Sequence, residues 1–145
     1  MQLSEHFSLE ELTASDTATR KGIDNTPNED VLENLKITAQ HLEQVRALLG
    51  CPIAITSGYR SPKLNTMIGG ARNSEHCIGL AADIKAPAFG SPYDICIAIR
   101  DSGLFYNQLI HEYGTWCHVS FGEAMKRQQL SSFSAGNYLS GIVRL

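Results

Sequence analysis

The sequence predicts an α+β fold in one domain over residues 1–145, and three observations carry that expectation. A length of 145 residues with 43% apolar content suits one compact core. A long amphipathic helical pattern occupies the first third of the chain, ending at Gly50. After it, short β-branched or alternating segments are separated by short helical ones, with no internal repeat and no low-complexity tract.

Taken in order, Ser8 followed by Glu11 has the spacing of a capping box and predicts a short helix over Leu9 to Thr13. Ala14 to Asn25 is polar and aperiodic, and reads as a surface loop. Thr26 as cap, Pro27 at the first helical position and Glu29 in the box open the long helix. Val31, Leu35, Leu42, Val45 and Leu49 share one of its faces, with Glu33, Lys36, Gln40, Glu43 and Arg46 on the other. Such a helix lies on a sheet. Pro52 to Ser57 and Leu80 to Lys85 read as strands. Ser61-Pro62 opens a short helix ended by Gly69-Gly70, and Ser91, Pro92 and Asp94 start another, with Ile95 and Ile99 inward and Gly103 at its end. Asn107 to Glu112 and Trp116 to Phe121 stand at hairpin spacing. Residues 122–145, rich in Gln, Ser and Gly, receive no element.

Charge and composition exclude several function classes. Twelve Lys and Arg against fifteen Asp and Glu give a net charge of -3, which is no footprint for nucleic acid. No stretch has the roughly 18 apolar residues of a membrane span. Met1 to Leu12 shows neither the basic start nor the apolar run of a secretory signal, so synthesis in a cytoplasm without a signal peptide is the expectation. Cys51, Cys77, Cys96 and Cys117 form no C-x-x-C pair and sit beside apolar residues, so reduced, core-filling thiols are expected.

The chemistry-bearing residues fall between Ser57 and Ser120. Gly79, between His76 and Asp83, permits a turn that brings a histidine to face a carboxylate, a pair suited to zinc. In the segment Trp116 to Phe121, Cys117, Val119 and Phe121 make an apolar face, so His118 points the other way with Trp116 and Ser120. A loop of Tyr113 to Thr115 pairs Glu112 with Trp116 and Ile110 with His118, which makes Glu112 and His118 diagonal neighbours. Two histidines and an aspartate with an open position make a catalytic zinc arrangement, and Glu112 is then placed as general base. Arg60 offers a planar fork for a carboxylate or an oxyanion, and Ser74 a hydroxyl.

Each residue also has an ordinary reading: His76 as a loop histidine, Asp83 as a strand-end acid, His118 as a satisfied half-buried histidine, Glu112 and Arg60 as surface charges. Alternation sends His111 to the opposite face, and His6 and His41 read as surface residues.

Together the segments resemble the zinc D-alanyl-D-alanine carboxypeptidase family of peptidoglycan peptidases, within the LAS metallopeptidases and the hedgehog-like fold. Ser74, His76, Gly79, Ala81 and Asp83 meet the family pattern S-x-H-x-x-G-x-A-x-D, Trp116 and His118 meet W-x-H, and Ser57 to Arg60 read S-G-Y-R. The resemblance implies a small antiparallel sheet with helices packed on it, and one zinc ion on His76, Asp83 and His118. It also implies Arg60, Ser74 and Trp116 as substrate contacts. The base position three residues before the last histidine is Thr115 here, whereas the hedgehog-like position six before it is Glu112. The implied activity is hydrolysis of peptidoglycan stem peptides or cross-links at the bacterial cell wall, by a monomer of the small phage or prophage lysin or virion-associated form. An inert zinc-binding relative and a phage tail structural protein are the alternatives.

Overall fold

In a computed structural model of the chain, which describes residues 1–144, five helices accompany a six-stranded sheet. The helices are α1 (Leu9–Thr13), α2 (Asp16–Lys21), α3 (Glu29–Leu49), α4 (Pro62–Met67) and α5 (Pro92–Arg100). The strands are β1 (Ala54–Ser57), β2 (Ala81–Lys85), β3 (Gln108–Glu112), β4 (Trp116–Ser120), β5 (Gln128–Ser134) and β6 (Asn137–Ser140), and a single 3-10 turn covers Glu75–Ile78. The sheet order is β1-β2-β4-β3-β5-β6.

Local chemistry accounts for the helix ends. Ser8 and Glu11 make the capping box of α1. α3 begins two residues later than Thr26 and Pro27 suggest, because the Asn28 side chain accepts the Val31 amide and takes the cap itself. The stretch read as loop between Ala14 and Asn25 contains α2. Ser15 accepts the Ala18 amide, Asp16 and the pair Arg20 and Lys21 complement the dipole at the two ends, and Gly22 closes it at φ 64°.

α3 and α5 cover one face of the sheet. Val31, Leu35, Leu42, Val45 and Leu49 of α3, joined by Ile95 and Ile99 of α5, meet Ala82, Ile84, Leu109, Cys117 and Val119. Each Val, Leu or Ile side chain among them withdrawn from water contributes roughly 1.5–3 kcal/mol. Among the described residues all four cysteines are free, with Cys96 and Cys117 fully buried in this core. His111 also faces this side, where Tyr93 and Phe133 pack around its ring and Nδ1 lies 2.9 Å from the Val143 carbonyl.

The hairpin of β3 and β4 has the expected register, Glu112 with Trp116 and Ile110 with His118. The tail left without an element supplies β5 and β6, and β5 runs parallel to β3, so the sheet is mostly rather than wholly antiparallel. Arg127 anchors the crossing into β5: its guanidinium reaches the carbonyls of Leu104 and Arg100 and lies 4.5 Å from the Tyr106 ring centre. Among the described residues no helix is long and apolar enough to cross a membrane.

Candidate metal centre and cleft

The sheet face turned away from α3 carries the candidate site. On β2, Ala82 and Ile84 enter the core, so Asp83 projects to the other face; on β4, Cys117 and Val119 enter the core, so His118 does the same. Asp83 and His118 are directly paired across the two strands. His76 comes from the 3-10 turn, which is fixed at both ends. The Glu75 carboxylate accepts from Ser120 Oγ at 3.1 Å and from the Gly122 amide at 2.7 Å. At the other end Thr38 Oγ donates to the Gly79 carbonyl at 2.6 Å, and Asn34 donates to Ile78 O at 2.8 Å. Gly79 sits at φ 80°, and a Cβ there would press on Val31 at 3.0 Å, so the turn admits only glycine without rearrangement.

Three donor atoms converge. Asp83 Oδ1 lies 3.2 Å from His76 Nε2 and 3.0 Å from His118 Nδ1, and the two nitrogens are 3.2 Å apart. All three residues are buried. Zinc ligands about 2.05 Å from the ion at the tetrahedral angle stand about 3.3 Å from one another, so the spacing fits a zinc ion. The protonation chemistry agrees. His76 Nδ1 lies 2.6 Å from the Gly58 carbonyl and must donate to it, which leaves Nε2 of the neutral ring with a bare lone pair facing the other two donors. Three electron-rich atoms in a dry site require a cation or added protons between them. Burial alone would push the Asp83 carboxyl up, but His76 and His118 outweigh it and hold it far below the usual carboxylate range.

The second oxygen of Asp83 meets Arg60, whose Nη2 lies 3.1 Å away. The same guanidinium donates through Nε to Ser57 Oγ at 3.0 Å and through Nη1 to Asn65 Oδ1 at 3.2 Å. Asn65 is held in turn by the Ala71 carbonyl at 2.9 Å. Ser74 Oγ accepts the His76 amide at 3.2 Å and caps the ligand-bearing turn. Glu112 Oε1 stands 3.8 Å from His118 Nδ1. Burial pushes its carboxyl above the usual range, partly offset by His118. Trp116 packs edge-on to Tyr113 at 5.4 Å, with its indole nitrogen buried and unpartnered.

A cleft of about 420 Å³ opens beside these residues, lined among others by Asp16, Ser57, Arg60, Asp83, Lys85 and Trp116. The structure thus brings His76, Asp83, His118, Glu112, Arg60 and Trp116 to one place. Ser74 stands behind His76 and is not part of the cleft wall. The Gly58 carbonyl, Asn65 and Lys85 escape the sequence reading. S-G-Y-R includes Gly58 but cannot show that its carbonyl meets His76, and Asn65 has no motif.

Residues 5–120 match the peptidase M15 family. A stretch of 58 residues is 40% identical to the zinc D-Ala-D-Ala carboxypeptidase of Streptomyces albus G. That stretch makes up 39% of this chain and 23% of the relative's length.

Proposed function

The chain belongs to the peptidase M15 family, and we propose that it is a zinc metallopeptidase that hydrolyses peptide bonds in bacterial peptidoglycan stem peptides or cross-links. The observation that carries this reading is the convergence of His76 Nε2, Asp83 Oδ1 and His118 Nδ1 within 3.2 Å of one another, with Glu112 beside them. The Streptomyces relative supports the choice of metal and substrate class.

His76, Asp83 and His118 would hold one zinc ion. Bound there, zinc polarises a scissile carbonyl and lowers the pKa of a coordinated water to about 7. Glu112 takes a proton from the attacking water at its carboxylate and delivers it to the departing amine. Burial raises its affinity for protons, which suits a group that must accept one and pass it on. Arg60 keeps two of its five N–H groups free of Ser57, Asn65 and Asp83, and these stabilise the negative charge that develops on the carbonyl oxygen. Trp116 forms an apolar wall against which the substrate lies, and Ser74 supports the substrate side through the turn it caps.

Digestion of purified muropeptides by the zinc-loaded chain, read by mass spectrometry, tests the proposal and names the bond cut. Products that lose one terminal residue or one cross-link, and that vanish with Glu112→Ala, are the expected result. Intact muropeptides with a zinc-loaded, folded chain would overturn it. The cell wall as the place of action, in a phage lysin or virion-associated peptidase, belongs to the same proposal. Clearing of a bacterial wall suspension by added protein is its measurement.

A further inference from the structure

Asn65 is only 4% exposed and sits in α4 beside the fully buried Leu64. Asparagine forms helix less readily than leucine, and a buried amide is costly unless both of its ends are bonded. Here both are. Oδ1 accepts from Arg60 Nη1 at 3.2 Å, and Nδ2 donates to the Ala71 carbonyl at 2.9 Å. A guanidinium only donates and a carbonyl only accepts, so the amide fits in a single orientation.

Its two partners lead to two of the candidate metal ligands. Arg60 meets Asp83 through Nη2 at 3.1 Å. The Ala71 carbonyl also accepts the Ser74 amide at 3.1 Å, and Ser74 caps the turn that bears His76. Asn65 therefore ties the cation behind one ligand to the approach of another. With Nε on Ser57, Nη1 on Asn65 and Nη2 on Asp83, every nitrogen of the guanidinium is anchored once and its plane is fixed. Gly70 leaves room for this contact and for nothing larger. A Cβ there would collide with Asn65 Oδ1 and stand 3.1 Å from Arg60 Nη1.

We propose that Asn65 is a positioning residue for the metal centre: its amide holds Arg60 in the plane that both fixes Asp83 and keeps the remaining N–H groups in the cleft. Its effect on zinc stands on this geometry, and its effect on hydrolysis rests on the peptidase reading. Asn65 touches neither ion nor substrate and acts through Arg60 alone, so its influence must vanish when Arg60 is gone. Gly70 belongs to the same device, because only a residue without a side chain lets the amide reach the guanidinium.

The test is a double-mutant cycle of Asn65→Leu with Arg60→Met. It is read by zinc affinity, in competition with a chromophoric chelator, and by kcat and KM on a purified muropeptide. Asn65→Leu keeps the side-chain volume and deletes both bonds. It should weaken zinc about 3–10-fold and lower kcat about 10–100-fold, with KM within about threefold. In the Arg60→Met background the same change should alter zinc affinity and kcat by less than about twofold. A merely structural role would repeat its full cost in both backgrounds. Gly70→Ala removes no polar group, and should reproduce the losses by displacing the amide. Crossed with Arg60→Met, it decides by the same criteria should Asn65→Leu fail to fold. Equal losses in the two backgrounds, or wild-type zinc affinity in folded Asn65→Leu, overturn the assignment. Coupled zinc affinities with no hydrolysis by the wild type leave Asn65 in place and remove the peptidase reading. Hydrolysis with equal losses in both backgrounds does the reverse.

Discussion

Arg60 Nη2 and Asp83 Oδ2 lie 3.1 Å apart, while the other oxygen of the same carboxylate faces both histidines. One side chain therefore divides its two oxygens between a candidate metal position and a cation. Arg60 fixes the rotation of the carboxylate that would otherwise swing about its last bond.

Replacing Arg60 by Met should therefore weaken zinc binding without removing any ligand. The expected loss is about 10–100-fold, the range for groups that orient metal ligands. Competition with a chromophoric chelator measures it, and an unchanged affinity would show that Asp83 needs no such support.

Glu112→Gln should retain zinc and lose hydrolysis by about 10²–10⁴-fold, the usual contribution of a general base. The same change removes a buried carboxylate whose charged form the fold disfavours. The metal-free variant should accordingly melt roughly 2–4 °C higher than the wild type at neutral pH. A carboxyl pushed up by folding weakens stability only once it ionises, so the difference should shrink as pH falls through the raised folded-state value and be gone below the ordinary value of 4.5. Differential scanning calorimetry at two pH values checks both the sign and its disappearance.

Gly58→Ala would thrust a methyl group into the backbone carbonyl of Leu12, which has no flexible end to yield. A cost of about 1–3 kcal/mol is expected. Because the Gly58 carbonyl receives the His76 Nδ1 proton, zinc affinity should fall as well. Gly103→Ala is the control, since a Cβ there meets nothing within 4 Å. Denaturant melts of the two variants should differ clearly.

The N-terminal segment should loosen in acid. Burial works to raise the Glu43 carboxyl, but Ser4 Oγ at 2.6 Å, the His6 amide at 2.7 Å and His6 Nδ1 at 2.7 Å bring it below its ordinary value of 4.5. A carboxyl lowered by folding stabilises above that value, and the contribution is lost as pH falls through the folded-state value. The His6 amide resonance should move toward its unfolded position with a midpoint under 4.5, and Glu43→Gln should abolish the transition.

How much of this the chain reveals in advance depends on how local each determinant is. The triad of His76, Asp83 and His118 was readable because one glycine and strict strand alternation determine where those side chains point. The hairpin register followed from loop length alone. α2 was overlooked because six residues with one buried alanine, Ala18, show no hydrophobic period; only Ser15 and Gly22 mark it. β5 and β6 were missed for a different reason. Their pattern of Gln, Ser and Asn becomes strand only through pairing, β5 with β3 about twenty residues earlier and β6 with β5. The support around the ligands was equally hidden, since a carbonyl such as that of Gly58 leaves no trace in the residue alphabet.

The turn bearing His76 is clamped by Glu75 at one end and by Thr38 at the other, while Asp83 and His118 ride on interior strands. The three donors are thus positioned by hydrogen bonds to the turn and by strand pairing, none of which involves an ion. Chelation should leave the far-ultraviolet circular dichroism unchanged, in contrast to small zinc modules that collapse without their metal. Capture then resembles filling a rigid socket: its affinity reflects ligand chemistry and ligand spacing, with no folding free energy folded into the measured constant.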